Sequence, residues 1–190
     1  MQHARNEPVI EAEGLEKYYG TVHAVRGVSF TIPAGTCVGL LGPNGAGKTT
    51  TMRMIMGLSR PSAGRLRLFG AAPGALGRDL RSRIGLVPQE DNLDPDLSVR
   101  QNLEVYGRYF GIPAAEISER VPKLLEFMQL AERAEARVMQ LSGGMKRRLI
   151  IARALIADPE LVILDEPTTG LDPQARVLIW RRLLDLKRQG

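Results

Sequence analysis

The run GPNGAGKTT at residues 42–50 carries the clearest chemistry in this sequence. It matches the spacing G-x-x-x-x-G-K followed by Ser or Thr, in which glycines let backbone amides converge on phosphate and the next helix N-terminus attracts the same charge. We expect Lys48 to neutralise the β- and γ-phosphates and the Thr49 hydroxyl to bind Mg²⁺. The residues of this predicted phosphate loop are Gly42, Pro43, Asn44, Gly45, Ala46, Gly47, Lys48, Thr49 and Thr50.

Two adjacent carboxylates, Asp165 and Glu166, follow the apolar run LVIL. Beside a phosphate loop, Asp165 would hold Mg²⁺ largely through water, and Glu166 would orient or deprotonate the attacking water. In isolation the same pair would equally suit the cap of a loop. The apolar run before the pair and the phosphate loop in the same chain favour the catalytic interpretation.

The segment LSGGM at residues 141–145 predicts a second anion site. Ser142 suits a helix N-cap, and the two glycines after it leave bare amides at the start of a basic helix. A Ser-Gly-Gly run alone is usually a loop. Two phosphate-binding helix ends in one chain, however, need not serve one nucleotide in one molecule. A two-fold dimer would bring the second end over the nucleotide of the partner.

Short β-branched or alternating runs predict antiparallel strands in the first part of the chain. They lie at residues 9–13, 28–32 and 65–69. Residues 37–41, CVGLL, predict a wholly apolar strand that leads into the phosphate loop, with Cys37 as a small buried hydrophobic residue. A helix is expected from residue 48 to about residue 58.

The apolar runs at residues 84–88 and 161–165 predict two strands of a parallel sheet that is covered on both faces. Between them the apolar residues recur at helical spacing. Helices are predicted to begin after Ser98, at Pro113, after the glycines of LSGG and near Pro173.

These elements predict an α/β fold, namely a P-loop NTPase core with a mixed or parallel sheet and an N-terminal antiparallel β part. The core would comprise residues 1–89 and 158–190. Residues 90–157 would form a helical subdomain inserted into it.

The composition is that of an ordinary globular chain, with 44% hydrophobic residues and a net charge of +5. No dense block of Lys and Arg is present, so we interpret the charge as an arginine-rich surface and expect no nucleic-acid partner. The apolar run at residues 149–157 is shorter than the roughly 20 residues that cross a bilayer, and the first residues lack the apolar region of a secretory signal. We expect this chain to reach a membrane only through a partner.

The phosphate loop, Gln89 in VPQED, LSGGM, LVILDEP and TGLD occur in an order and spacing that resemble the ATPase subunits of ABC transporters. The resemblance covers essentially the whole chain. It implies an ATPase that uses ATP and Mg²⁺, a helical subdomain beside a core sheet, and a homodimer that sandwiches ATP.

The resemblance also implies roles by motif position. Tyr19 would stack on adenine with Val25 nearby, although the adjacent Tyr18 could be confused with it. Gln89 would touch Mg²⁺ and relay the state of the nucleotide to the helical subdomain. The implied catalytic residues are therefore Lys48, Gln89 and Glu166, and the implied metal ligands are Thr49, Gln89 and Asp165.

Other implied roles concern the dimer. Ser142 and Gly144 would reach the γ-phosphate bound by the partner, and Asp172 would lie in the loop that crosses the interface. Met145 stands where the family at large often has Gln, so phosphate recognition would depend on Ser142 and the backbone amides.

Three longer segments narrow the resemblance to exporter ATPases of the nodulation-factor (lipo-oligosaccharide) type, which are related to drug-resistance exporters. The segments that carry it are VPQEDNLDPDLSVRQNL, GRYFG and ARVMQLSGGMKRRL. It implies a separate integral-membrane permease and a peripheral place on the cytoplasmic face of the inner (cell) membrane. Aromatic residues at Tyr106, Tyr109 and Phe110 would suit a groove for the permease, and core packing is an equal alternative.

Two other functions fit parts of the sequence. A soluble ABC ATPase acting on nucleic acid or ribosomes remains the alternative, but Lys48 and Ser142 are only 94 positions apart, which leaves no room for the long coiled coils of chromosome-maintenance relatives. A small-molecule P-loop kinase would leave LSGGM and TGLD without a role. The switch histidine of the family belongs on a strand downstream of Glu166, where this sequence has none, so we expect a fragment that binds nucleotide better than it turns it over.

Overall fold

The computed structural model describes residues 8–75 and 82–189. These residues form two compact units. The second unit runs Ser82–Leu186, and the first contains the described residues before it together with residues 187–189. Each unit holds one of the two sheets.

The sheet of the first unit has three antiparallel strands in the order β2-β1-β3. The strands are β1 (Pro8–Tyr19), β2 (Val22–Pro33) and β3 (Ala63–Leu68). Apolar residues pair across the sheet, because Ile10 and Ala12 of β1 lie opposite Leu68 and Leu66 of β3, and all four are buried. This alternation is the physical basis of the strand prediction, which is confirmed.

The phosphate loop leads into helix α1 (Lys48–Ile55) in the first unit. The predicted start at Lys48 is confirmed, and the helix ends slightly earlier than expected. Thr51, Met54 and Ile55 form its buried side.

The predicted strand at residues 37–41 is wrong. These residues are not in a strand and are exposed, Leu41 to 94% of its surface, and Cys37 is exposed too, contrary to the expectation of burial. A wholly apolar strand is stable only between neighbouring strands that cover it. Among the described residues of the first unit, no strand pairs with this segment.

The sheet of the second unit pairs β4 (Ile84–Val87) in parallel with β5 (Leu161–Leu164), as the two apolar runs predict. The register sets Val87 opposite Leu164. Because the strands are parallel and in register, the residues that follow them emerge at one edge. Gln89 and the Asp165–Glu166 pair therefore meet there.

Four helices complete the second unit among its described residues. They are α2 (Val99–Tyr109), α3 (Ala114–Phe127), α4 (Gly143–Leu155) and α5 (Pro173–Gln189). The expected starts after Ser98 and near Pro173 are confirmed, whereas α3 begins one residue after Pro113 and α4 already includes the two glycines of LSGG. The Ser98 hydroxyl accepts from the Gln101 amide, and the Gln101 side chain accepts from the Ser98 amide, which completes a capping box at α2.

Helix α4 is the central helix of this unit. It packs on β4, α2 and α3, and most of its residues are buried. The contact with β4 is close, since a Cβ at Gly85 would lie 2.5 Å from the Ala154 carbonyl oxygen. Among the described residues, no helix is long and apolar enough to span a membrane. The division between core and helical subdomain remains a prediction.

Candidate functional site

The phosphate loop is shaped by its own lysine. Lys48 Nζ donates to the carbonyl oxygens of Gly42 and Pro43 at 2.7 and 2.8 Å. An ammonium group has three donors, so one of them remains for a phosphate oxygen. Gly47 has φ +84°, and a Cβ there would lie 2.4 Å from the Ala24 carbonyl oxygen, so only glycine fits this position.

The start of α1 is an unneutralised helix N-terminus. Gly47 provides no side-chain cap, and the first turn contains no acidic residue. The first intrahelical bond runs from the Thr51 amide to the Gly47 carbonyl at 2.8 Å. The amides before Thr51 are consequently the orphan donors of the helix, and they favour an anion.

Tyr19 lies at the end of β1 and is about half exposed. Its hydroxyl is 3.4 Å from Ser59 Oγ, and Lys17 Nζ lies 5.1 Å from the ring centroid. The hydrogen bond with Ser59, followed by the charge of Lys17, holds the pKa of the Tyr19 phenol below its usual value.

The neighbouring Tyr18 is in a different state, because it stacks on His23 with ring centroids 4.0 Å apart and planes 14° apart. One face of the Tyr18 ring is therefore occupied within the chain. Val25, also predicted to lie near adenine, is buried on β2, and its Cγ2 lies 3.0 Å from the position of a Cβ at Gly47. Val25 thus packs directly against the phosphate loop.

Gln89 and Glu166 come together at the carboxyl edge of the parallel strands. Gln89 Nε2 donates to Glu166 Oε2 at 3.3 Å, and Thr169 Oγ1 donates to the same oxygen at 3.1 Å. Glu166 is exposed and has φ +45°, a left-handed conformation that is unfavourable for a side chain of this kind. Such local strain is retained at functional sites when the surroundings enforce it.

Ser142 caps helix α4, with its hydroxyl accepting from the Met145 amide at 3.3 Å. Ser142 and Gly143 are exposed, and the first turn of α4 holds no acidic residue, so this helix start is a second place where anions are favoured. The Met145 side chain packs against the hydrophobic core instead of offering an amide.

Gly144 and Asp172 belong to the same region of the second unit. A Cβ at Gly144 would lie 2.9 Å from Ala175 Cβ, so the glycine allows α4 to begin directly against α5. Asp172 Oδ1 accepts from the Ala175 amide at 2.9 Å and so caps α5.

The predicted metal ligands offer the chemistry that Mg²⁺ prefers. Thr49, Gln89 and Asp165 each have a side-chain oxygen, and Mg²⁺ bound by few carboxylates completes its shell with water and phosphate. Thr49 belongs to the first unit, whereas Gln89 and Asp165 belong to the second. In the described part of the chain, no cluster of three His, Cys, Asp or Glu residues could hold a metal.

The aromatic residues of α2 separate into two roles. Tyr106 is half-buried, packs against the core and lies 4.7 Å beneath the Arg153 guanidinium. Phe110 packs edge-on against Tyr106 at 5.1 Å. Tyr109 is 77% exposed and remains a candidate for contact with a partner.

Two residues that the sequence reasoning did not single out contribute to this site. Thr169 bonds the carboxylate of Glu166, and Arg147 of α4 bonds the backbone on both sides of it. The signal for Arg147 is weak in the sequence, because it stands in a run of three basic residues and only the structure shows which of them is buried.

A phosphate loop that opens a helix defines the class of P-loop nucleotide-binding proteins. Within that class, the family model described as ABC transporter matches residues 25–169. The chain belongs to the ABC transporter family.

Individual relatives agree with this assignment. The chain is 56% identical over 183 residues to Nod factor export ATP-binding protein I of Ralstonia nicotianae. The matched segment covers 96% of this chain and 57% of that protein. The chain therefore spans less than two thirds of the length of the curated relatives that it matches.

Two solved structures share its fold. One is cbiO1 from Clostridium perfringens, part of the ABC transporter complex cbiONQ, with a TM-score of 0.87, 30% identity and coverage of 96% of this chain and 74% of that one. The other is a dimeric ATP-binding cassette in a post-hydrolysis state bound to ADP and Pi. It has a TM-score of 0.83, 28% identity and coverage of 95% and 83% of the two chains.

Proposed function

We propose that this chain binds and hydrolyses ATP as the nucleotide-binding subunit of an exporter for a lipo-oligosaccharide or a drug-like compound. The observation that carries the hydrolytic part is the carboxylate of Glu166, held by Gln89 and Thr169 at the carboxyl edge of the parallel strands. The similarity to Nod factor export ATP-binding proteins supports the exporter part.

ATP binding begins at the phosphate loop. Lys48 and the orphan amides of α1 bind the β- and γ-phosphates, while the exposed Tyr19 ring stacks on adenine. Val25 packs against this loop. Thr49, Gln89 and Asp165 are the residues whose side-chain oxygens would hold Mg²⁺, and the ion would supply positive charge that neutralises the phosphates.

Hydrolysis depends on Glu166. The hydrogen bonds from Gln89 and Thr169 both go to Oε2, and among the described residues none goes to Oε1. Oε1 is therefore the oxygen that orients or deprotonates the attacking water. The Gln89 side chain connects the Glu166 carboxylate to the loop after β4. Gln89 therefore transmits the state of the bound nucleotide to that loop.

The active site is completed in a homodimer. The exposed N-terminus of α4, with Ser142 and the Gly144 amide, binds the γ-phosphate held by the partner, and the loop that contains Asp172 lies at the interface. The dimeric cassette bound to ADP and Pi supports this arrangement by its structural similarity.

An integral-membrane permease is the remaining partner, with this subunit on the cytoplasmic face of the inner (cell) membrane. We expect the tagged complete chain, purified from detergent-solubilised membranes, to bring one integral-membrane protein in equimolar amount. Adding that protein back should change the rate of ATP hydrolysis several-fold, since closure of the dimer and movement of the permease are coupled.

A Tyr109→Ser variant tests where the permease binds, because it removes an exposed aromatic ring but no proposed nucleotide contact. Unchanged hydrolysis by the isolated variant, with weaker copurification, would place the permease contact on α2. Copurification of ribosomes or nucleic acid, in place of a membrane protein, would contradict the exporter and favour the soluble alternative.

The role of Tyr19 gives a separate prediction. Tyr19→Ala should weaken ATP binding about 10-fold, because base–aromatic stacking contributes about 1–3 kcal/mol. Tyr18→Ala should weaken it less than about 3-fold, since one face of that ring already stacks on His23. Titration with a fluorescent ATP analogue measures both, and equal effects would contradict the assignment to Tyr19.

A further inference from the structure

Arg147 of helix α4 is a buried cation, only 6% exposed. Its Nη2 donates a hydrogen bond to the Asp165 carbonyl oxygen at 2.8 Å, and its Nε donates one to the Pro167 carbonyl oxygen at 2.9 Å. Nη1 donates to the Pro88 carbonyl oxygen, and it lies 3.5 Å from that of Gln89. All three nitrogens of one side chain are thus bonded to backbone.

These carbonyl groups surround the two residues assigned to hydrolysis. Asp165 and Pro167 are the neighbours of Glu166 on either side, so the two bonds bracket its left-handed backbone. The bonds to Pro88 and Gln89 hold the other strand end. One guanidinium therefore fixes both backbones whose side chains meet at 3.3 Å.

Stability alone does not account for a charge in this place. Burial lowers the pKa of the Arg147 guanidinium, while the charges of Asp91 and Asp165 oppose that effect. Among the described residues, Arg147 forms no ion pair within 4.0 Å, and its hydrogen bonds go to backbone carbonyl groups. A buried charge of this kind is rarely a gain over an apolar side chain of the same volume.

We propose that Arg147 is a positioning residue for hydrolysis. It sets the backbones of Gln89 and Glu166 and joins both to the helix that starts at Ser142, the helix assigned to the partner's phosphate. Lysine cannot replace it, because a single ammonium group cannot bond to carbonyl oxygens in this planar, forked arrangement. The inference rests on the proposed ATP hydrolysis.

Arg148 provides a matched control on the same helix. It is half-buried, burial likewise lowers the pKa of its guanidinium, and its Nη1 donates to the Met128 and Gln129 carbonyl oxygens at 2.8 and 3.1 Å. These groups lie at the end of α3, away from Glu166 in sequence and in contacts. Substitution of Arg148 therefore removes a partly buried guanidinium from the same helix but leaves the backbone at the ends of β4 and β5 unchanged.

The first experiment compares Arg147→Gln, Arg147→Lys and Arg148→Gln in the complete chain. Both Arg147 variants should lower kcat about 100-fold, since a displacement of about 1 Å at a reacting group costs that much, while KM and ATP binding change less than about 3-fold. Arg148→Gln should lower the melting temperature comparably but leave kcat within about 3-fold. Equal losses of kcat in the two positions, or unfolding of both Arg147 variants while Arg148→Gln folds, would overturn the proposal.

The second experiment is a double-mutant cycle with Glu166→Gln. If Arg147 acts through Glu166, adding Arg147→Gln to Glu166→Gln should lower the residual turnover by less than about 3-fold. A further loss of about 100-fold would show an independent role and overturn the inference. Absence of ATP hydrolysis by the unmodified complete chain would instead contradict the proposed function, so the two failures are distinguishable.

Discussion

Replacing Glu166 with glutamine is expected to lower ATP turnover about 1000-fold and to accumulate an ATP-loaded dimer. Loss of a general base costs about 100- to 10,000-fold. The glutamine oxygen still accepts from Gln89 and Thr169, so the side chain keeps its place and only its basicity is lost. Phosphate release measures the turnover, and light scattering with and without ATP and Mg²⁺ measures the dimer.

The control for this variant is Glu132→Gln, which removes the same charge from an exposed position outside the site. It should leave both turnover and assembly unchanged. A Glu166→Gln protein that binds ATP yet stays monomeric would rule out the arrangement in which two subunits enclose the nucleotide. Full turnover by this variant would rule out Glu166 as the base.

Replacing Lys48 with alanine is expected to weaken ATP binding about 100-fold or more. Two effects add in the same direction, because the ammonium group both bonds to the Gly42 and Pro43 carbonyls and offers a donor to phosphate. Hydrogen bonds to charged groups contribute about 1.5–3 kcal/mol each, and each 1.4 kcal/mol is a factor of ten in affinity. Calorimetric titration with ATP and Mg²⁺ measures the change.

Lys123→Ala is the matched control, since Lys123 pairs with Glu119 on the surface of α3 and its loss changes the net charge by the same amount. Its ATP affinity should equal that of the unmodified chain. If Lys48→Ala retained ATP binding within about 3-fold, the assignment of this loop as the phosphate site would be wrong.

The elements were predictable wherever a local pattern determines them. Ile10 and Ala12 alternate with polar residues and became a half-buried strand, and Ser98 and Ser142 cap the helices that follow them. The edge where Gln89 meets Glu166 was also predictable, because carboxyl ends of parallel strands emerge together. Residues 37–41 show the limit, since an apolar run does not reveal which strands are present to pair with it.

The supporting contacts of the site were not predictable. Arg147 reaches the backbone beside Glu166 through the packing of α4, 18 residues away in sequence, which no sequence spacing encodes. Thr169 reaches the Glu166 carboxylate across the turn that follows β5, three residues along the chain. The left-handed backbone of Glu166 likewise follows from the turn that β5 must make, and glutamate is not a residue that signals it. The sequence assigned adenine stacking to Tyr19 by motif position alone, and the stacking of Tyr18 on His23 adds a physical difference between the two adjacent tyrosines.

The approach of Gly144 to Ala175 couples the choice of amino acid at two distant positions. Their β-carbons would lie 2.9 Å apart if residue 144 had a side chain, so any volume added at one position must be taken from the other. A larger side chain at residue 175 therefore fits only if it points away from Gly144. The LSGGM turn and the start of α5 form one steric unit and must change together.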